Sequence, residues 1–244
     1  MPILTCFKHH FTPKWPMIML TALFLGLFIN LGIWQLQRAE EKRLMVAAQA
    51  TQEKQKATVW TGTEELPSAY KNIRLKGHYL PEIFFLDNQH QQHQWGYNVL
   101  SPLKLADGNV VIIDRGWVAG DPSRKVLPKV NFPQGFLNLQ GSVYYPSAKQ
   151  WVLGPEMEKK ENKVMVIERI DVKLLSQILQ KKVYPFIIRL DKQDPYGFVR
   201  EWKIVSMSPE RHLGYALQWF AMALVILIIF VALNLKKHDE KKDL

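Results

Sequence analysis

The sequence predicts a membrane protein of the α+β class: two transmembrane helices at the termini flanking a mainly antiparallel β extramembrane domain with one or two helices. Three observations predict it. Residues 17–34 and 213–235 are almost entirely apolar, and 220–233 carries no charge. At about 1.5 Å per residue, either stretch can cross the roughly 30 Å hydrocarbon core of a bilayer. The polar middle of the chain reads as short runs of β-forming residues separated by turn signals. Two crossings put both termini on one side and the whole middle on the other. The expected division is a cytoplasmic tail over 1–15, a first span over 16–36, a β-rich domain over 37–211, a second span over 212–235 and a second tail over 236–244.

The first apolar run could instead be a cleaved signal peptide. It is longer than the roughly 7–15 residues of such a segment, and Trp34-Gln35-Leu36-Gln37-Arg38 follows it in place of a small-residue cleavage site. An uncleaved anchor is expected. Residues 35–56 are rich in Ala, Gln, Glu and Lys and should continue the span as helix into solvent. Strands are then expected over 72–80, 83–86, 96–105 and 109–118, with Asp107-Gly108 as a hairpin turn. Further strands are expected over 136–145, 163–169, 184–190 and 199–205. Asp171 should cap a helix that runs through Leu174, Leu175, Ile178 and Leu179. Such a set suggests an antiparallel sheet that closes into a barrel or sandwich.

Orientation is read from basic residues near the membrane ends. Lys236, Lys237, Lys241 and Lys242 follow the second span, and Lys8 and Lys14 precede the first; Arg38, Lys42, Arg43 and Arg211 lie on the domain side. A long translocated domain obeys the rule weakly, so the short tails are given more weight. They place both termini in the cytoplasm of a bacterium, with the domain in the periplasm (the intermembrane-space side, were the protein mitochondrial). The short N-terminal tail is unlike a long Arg- and Ser-rich import leader, which favours a bacterial inner membrane.

The formal net charge is +10. The basic residues are dispersed and form no block with interleaved aromatics, so no nucleic-acid partner is expected. Anionic lipid, haem propionates or an acidic partner suit such a surface better. The single cysteine, Cys6, falls in the tail, too close to the start for a lipobox. One cysteine excludes a disulfide, Cys-pair zinc sites, thioredoxin-like motifs and covalent haem attachment.

Catalytic patterns are scarce: there is no G-x-S-x-G, Walker loop or H-E-x-x-H, and no enzyme is expected. His90 and His93, in His-Gln-Gln-His, have a spacing that could hold a metal, but suit a solvated hairpin tip better. Asp114-Arg115 at a strand end suggests a structural ion pair, and His78 an exposed strand residue. The membrane boundary says more. Trp34, Gln35 and Arg38 should lie at the depth of Arg211, His212, Tyr215 and Trp219. His212, Tyr215 and Trp219 are spaced i, i+3, i+7 and share one helix face, with Met222 farther down. An imidazole there could ligate haem iron axially, the aromatics could wall a porphyrin, and Arg211 and Arg38 could meet its propionates. The same residues also fit an ordinary interfacial aromatic belt.

Leu31-Gly32-Ile33-Trp34-Gln35-Leu36-Gln37-Arg38 resembles the signature that closes the first span of the Surfeit locus protein one family. Gly96-Tyr97, Ser101-Pro102-Leu103, Asp107-Gly108 and Arg115-Gly116-Trp117-Val118 resemble its central block. His212-Leu213-Gly214-Tyr215-Ala216-Leu217-Gln218-Trp219-Phe220 is similar to the stretch that opens its second span. The resemblance covers nearly the whole chain in order. It implies a cytochrome c oxidase assembly factor that helps insert haem a into the catalytic subunit, with that subunit and the haem a synthesis machinery as partners. It also implies that His212 is the axial ligand of the iron. The family usually has Asn where this chain has Asp114, so the resemblance gives position 114 no role.

The leading expectation is therefore a haem a chaperone, with His212, Tyr215, Trp219, Arg211, Trp34, Gln35 and Arg38 as the site. The runner-up is a haem-independent scaffold that stabilises an oxidase subunit intermediate. Copper delivery fits poorly, because the domain side lacks paired Cys or Met-rich ligands, and a tethered hydrolase lacks a nucleophile and base.

Overall fold

The computed structural model describes residues 5–6, 9–53, 55–62, 65–131, 133–147, 157–159, 163–202 and 205–237. They fall into two compact units, Met1–Ala47 with Ile204–Leu244, and Ala48–Lys203.

The first unit is built on a pair of helices. Trp15–Glu53 forms α1 and Pro209–Asn234 forms α3. Short strands join their outer ends. Thr5–Cys6 (β1) pairs with His9–Phe11 (β2), and β2 pairs antiparallel with Leu235–Lys237 (β12). The Thr12 amide also donates to the Asn234 carbonyl at 3.0 Å. The two helices therefore run antiparallel, with the start of one beside the end of the other. Both are long and apolar enough to cross a membrane. Their apolar side chains point mostly outward, among them Leu20, Leu23, Leu27, Leu224, Val225 and Ile228. A soluble protein would bury these side chains; lipid accepts them. The seam between the helices is made of small residues, with Ala216 and Ala223 buried. A Cβ on Gly32 would stand 2.6 Å from the Phe220 ring, so only glycine permits that approach.

The second unit is a β-barrel with an extension. Its strands are β3 (Thr58–Val59), β4 (Asn72–Tyr79), β5 (Ile83–Gln91), β6 (Gln94–Leu105), β7 (Val110–Ala119), β8 (Leu137–Tyr144), β9 (Met157–Lys159), β10 (Val164–Ile167) and β11 (Val183–Leu190). The order β4-β8-β11-β7-β6 closes on itself because β6 also pairs with β4, as Gly77 opposite Leu105 and Tyr79 opposite Leu103. Inside lie Ile73, Leu75, Leu103, Ile113, Leu139, Phe186 and Ile188. Beyond the barrel, β6 pairs with β5, which leads to β10 and β9. Val172–Leu179 forms α2. It lays Leu175 and Leu179 on the outer barrel face against Leu100, Ile112 and Ile187. A third cluster, including Phe85, Tyr97 and Val99, packs on the opposite side of the extension.

Local signals explain the connections. Asp107-Gly108 makes the β6–β7 turn, with Gly108 at φ +84° and the Leu105 amide bonded to the Asn109 carbonyl at 2.9 Å. Asp171 caps α2 by accepting from the Lys173 and Leu174 amides. Gln92 and His93, both at positive φ, turn β5 into β6, while His90 stays on the strand opposite Trp95.

The sheet is mainly antiparallel, as expected, with β3–β4, β5–β10 and β7–β11 as parallel pairs within it. Two expectations need correction. Residues 199–205 make no described strand; Val199 forms a single bridge to Trp117, and Lys203 and Ile204 lie outside the described residues. The Arg200 guanidinium holds this segment in a loop by bonding the carbonyls of Asp191, Asp194 and Phe198. Asp114 and Arg115 form no ion pair, because consecutive strand residues face opposite sides of a sheet. Asp114 shares the outer face with Ile112. Arg115 shares the inner face with Ile113 and plugs the barrel's end. It donates to the Tyr196 and Asn131 carbonyls and stacks on Tyr79 and Phe198. Gly116, at φ +106°, lets the Val199 carbonyl approach to where a side chain would stand. The Arg-Gly-Trp motif thus serves the fold.

Candidate functional site

The site begins with the start of α3. Ser208 precedes the helix and Pro209 takes its first position, where the missing N–H is no loss. His212 follows within the first turn. From it the buried stripe runs to Ala216 and Ala223, the face turned to α1.

His212 is buried, at 8% exposure. Its Nδ1 lies 2.7 Å from Oε1 of Gln35 on α1. With the Gln35 amide oxygen as acceptor, Nδ1 is the donor. In a neutral imidazole the lone pair then falls on Nε2. This is the arrangement of metal-binding histidines, whose second nitrogen donates to a fixed acceptor.

The other expected residues divide into smaller groups. Trp219 packs its ring 5.6 Å from Phe28. Arg38 lies over the Trp34 ring at 5.7 Å and pairs with Glu41 at 2.5 Å. Trp34 and Tyr215 are nearly half exposed. Tyr215 stands at the edge of the buried stripe because it is offset about 60° from His212 around the helix. Among the described residues, no hydrogen bond ties Tyr215 or the exposed Arg211 side chain to this group. The site therefore has a fixed centre, His212 with Gln35, and looser aromatic and basic surroundings. Sequence patterning missed Phe28 and Phe220, whose contacts to α3 and Gly32 are invisible without the pairing of the spans.

The β unit has its own polar centre, also unforeseen. Asp114 is fully buried on the outer barrel face. It accepts from Asn98 Nδ2 at 3.0 Å and from the Gly116 amide at 3.1 Å. Burial pushes its carboxyl up to about 6, against these hydrogen bonds and the nearby Arg189 charge. The one sequence signal was Arg189 itself, alone among Phe186, Ile187, Ile188 and Leu190. His90 and His93 do not join other ligands, since no cluster of three or more metal-binding side chains occurs among the described residues.

The model of the SURF1 family matches residues 22–224. A SURF1-like protein of Rickettsia felis is 27% identical over 213 residues, 84% of this chain and 91% of that protein. One from Rickettsia conorii is 26% identical over 84% of this chain and 85% of its own length. One from the eukaryote Monosiga brevicollis is 22% identical over 85% and 83%. The match starts inside α1, takes in the whole β unit and ends inside α3, so the chain belongs to the SURF1 family, membrane-anchored proteins with a role in cytochrome c oxidase assembly.

Proposed function

We propose that the protein is a non-catalytic haem a chaperone, which holds the cofactor at the membrane surface through His212 and passes it to the catalytic subunit of the oxidase. One observation carries this reading: the buried His212–Gln35 pair leaves Nε2 as a fixed lone pair. A neutral imidazole is a suitable axial ligand for haem iron. The pair also stands where apolar sequence gives way to charge, beyond Ile33-Trp34 on α1 and beside Arg211 on α3.

Haem a, when bound, supplies an iron that needs an axial ligand, two anionic propionates and a long apolar tail. The residues here fit that division. His212 offers the ligand, Gln35 orients it, and Trp34, Tyr215 and Trp219 offer aromatic walls. Arg211 and Arg38 offer positive charge on the water side, and the exposed apolar surfaces of α1 and α3 lie on the lipid side. A single protein ligand also suits a carrier, because the bond must break on delivery. The same proposal puts both termini in the cytoplasm of a bacterial inner membrane and the β unit in the periplasm, on the strength of the lysine-rich tails.

The test is an absorption spectrum of the full chain, purified in mild detergent from a bacterium that makes haem a, beside His212→Ala. The expected result is a haem a spectrum in the parent and its loss in a variant that still folds and still co-purifies with oxidase subunits. Absence of haem from both, with oxidase subunits retained, would overturn the ligand assignment and favour the haem-independent scaffold.

A further inference from the structure

On the outer barrel face, α2 covers Leu100, Ile112 and Ile187 and stops there. Beyond it the face turns polar. Asn98, Asp114 and Arg189 come from three neighbouring strands and form a row, with Asp114 directly opposite Arg189 in register. This row lines a cavity of about 400 Å³, walled also by Tyr144 and Glu168. A smaller cavity of about 150 Å³ lies against the same Asn98 and Arg189 and is walled by Trp117 and Trp202.

Arg189 is the group with unused capacity. Its guanidinium carbon lies 3.7 Å from the Tyr144 ring centroid and 5.6 Å from that of Trp202, so stacking fixes its plane. Its Nε is buried without a hydrogen-bond partner. Among the described residues, none of its other donors makes a hydrogen bond or an ion pair. Buried donors are rarely left so. Other arginines of this unit are more fully engaged: Arg115 bonds the Tyr196 and Asn131 carbonyls, leaving its Nη1 unpaired, Arg200 bonds carbonyls, and Arg124 pairs with Asp87. The nearby carboxylates are engaged too. Asp114 accepts from Asn98 and Gly116, and Glu168 from Asn88.

We infer that the β unit carries a binding site for a single carboxylate, centred on the stacked guanidinium of Arg189 and reached through the larger cavity. The planar fork matches a carboxylate in bidentate fashion. Arg189 brings one positive charge to a cavity that Asp114 and Glu168 also line, so a monoanion suits it better than a phosphate dianion. The carboxylate could belong to a small acid or to an acidic side chain of a docking protein, and both use the same donors. The site is built from residues of the β unit alone and does not depend on the haem reading.

The test uses the full chain in detergent at constant ionic strength, with chloride as the reference salt. Acetate and a short end-blocked peptide bearing one glutamate are titrated, with inorganic phosphate as a third probe. Tryptophan fluorescence reports binding, since Trp117 and Trp202 line the smaller cavity. The expected result is a saturable change with a carboxylate, absent in Arg189→Gln, and tighter binding by acetate or by the peptide identifies the source. Arg189→Lys keeps the charge but loses the fork, so it should bind about tenfold more weakly, and it decides the matter if the glutamine variant fails to fold. No saturable carboxylate response in the parent, unchanged binding in the variants, or phosphate binding as tightly as carboxylate would each overturn the site.

Discussion

Each unit buries a titratable group that is met by an amide side chain from a neighbouring element. In the helix pair, Gln35 accepts from His212 at 2.7 Å; in the β unit, Asn98 donates to Asp114 at 3.0 Å. The outcomes differ. The imidazole has two nitrogens, and its one partner leaves Nε2 with a lone pair. The carboxylate has both oxygens occupied, one by Asn98 and one by the Gly116 amide. Burial alone therefore does not mark a binding residue. Unused bonding capacity does, and by that measure His212 and Arg189 are candidates while Asp114 is part of the frame.

The surroundings differ in the same sense. The helices keep a narrow seam of small residues and present their apolar side chains outward, whereas the barrel fills its interior with aromatic and branched side chains. The two units are stabilised by different media and should respond separately to mutation. The largest effect tests this. Phe186 is wholly buried against Trp60, Tyr145 and Tyr184. Phe186→Ala should destabilise the β unit by about 3–5 kcal/mol, seen as a lower denaturant midpoint. Under conditions where the variant remains folded, its haem content should match the parent's. A parallel loss of haem would show that the two units are one cooperative system.

The next effect concerns Asp114. Its carboxyl sits at about 6 in the folded chain against an ordinary 3.8, so between those values the folded state keeps a proton that the unfolded state has lost. Its contribution is fully present below the ordinary value and disappears as pH rises through the folded one. The difference approaches about 3 kcal/mol. In Asp114→Asn the amide oxygen can still accept one N–H, and Asn98 can turn its own oxygen to the new amide. Relative to the parent, this variant should gain stability as pH rises from about 4 to about 7. A flat difference between the two unfolding curves would show that Asp114 titrates like an exposed carboxylate.

Much of the framework was legible in the sequence because it rests on local signals. The two spans, the Asp107-Gly108 turn and the Asp171 cap each depend on neighbouring residues. Closure into a barrel or sandwich was legible from the run of short strands, but the pairing that achieves it was not, because β4 meets β6 and β7 meets β11 across long intervals of chain. The 199–205 segment has strand-like composition, but the Arg200 side chain captures the carbonyls that fix its path. At the membrane boundary, helical periodicity grouped His212, Tyr215 and Trp219. It could not tell that the α1 contact lies along Ala216 and Ala223, leaving Tyr215 outside. The row Asn98, Asp114 and Arg189 is drawn from three strands, and no spacing in one segment encodes it.

The smallest stability effect bears most directly on His212. Gln35→Leu removes one neutral hydrogen bond, worth about 1 kcal/mol, and keeps the helix surface apolar at that point. The helix pair should survive. What changes is the imidazole: with no acceptor beside Nδ1, its tautomer and ring plane are no longer fixed. Loss of such a supporting partner weakens metal ligation by about 10–100-fold. Gln35→Leu should therefore lose haem a during purification more readily than the parent while melting at nearly the same temperature. His212→Ala should lose it altogether. If Gln35→Leu retains haem like the parent, the hydrogen bond is only a clasp between helices, and the contrast with the fully occupied Asp114 would no longer distinguish a binding residue from a structural one.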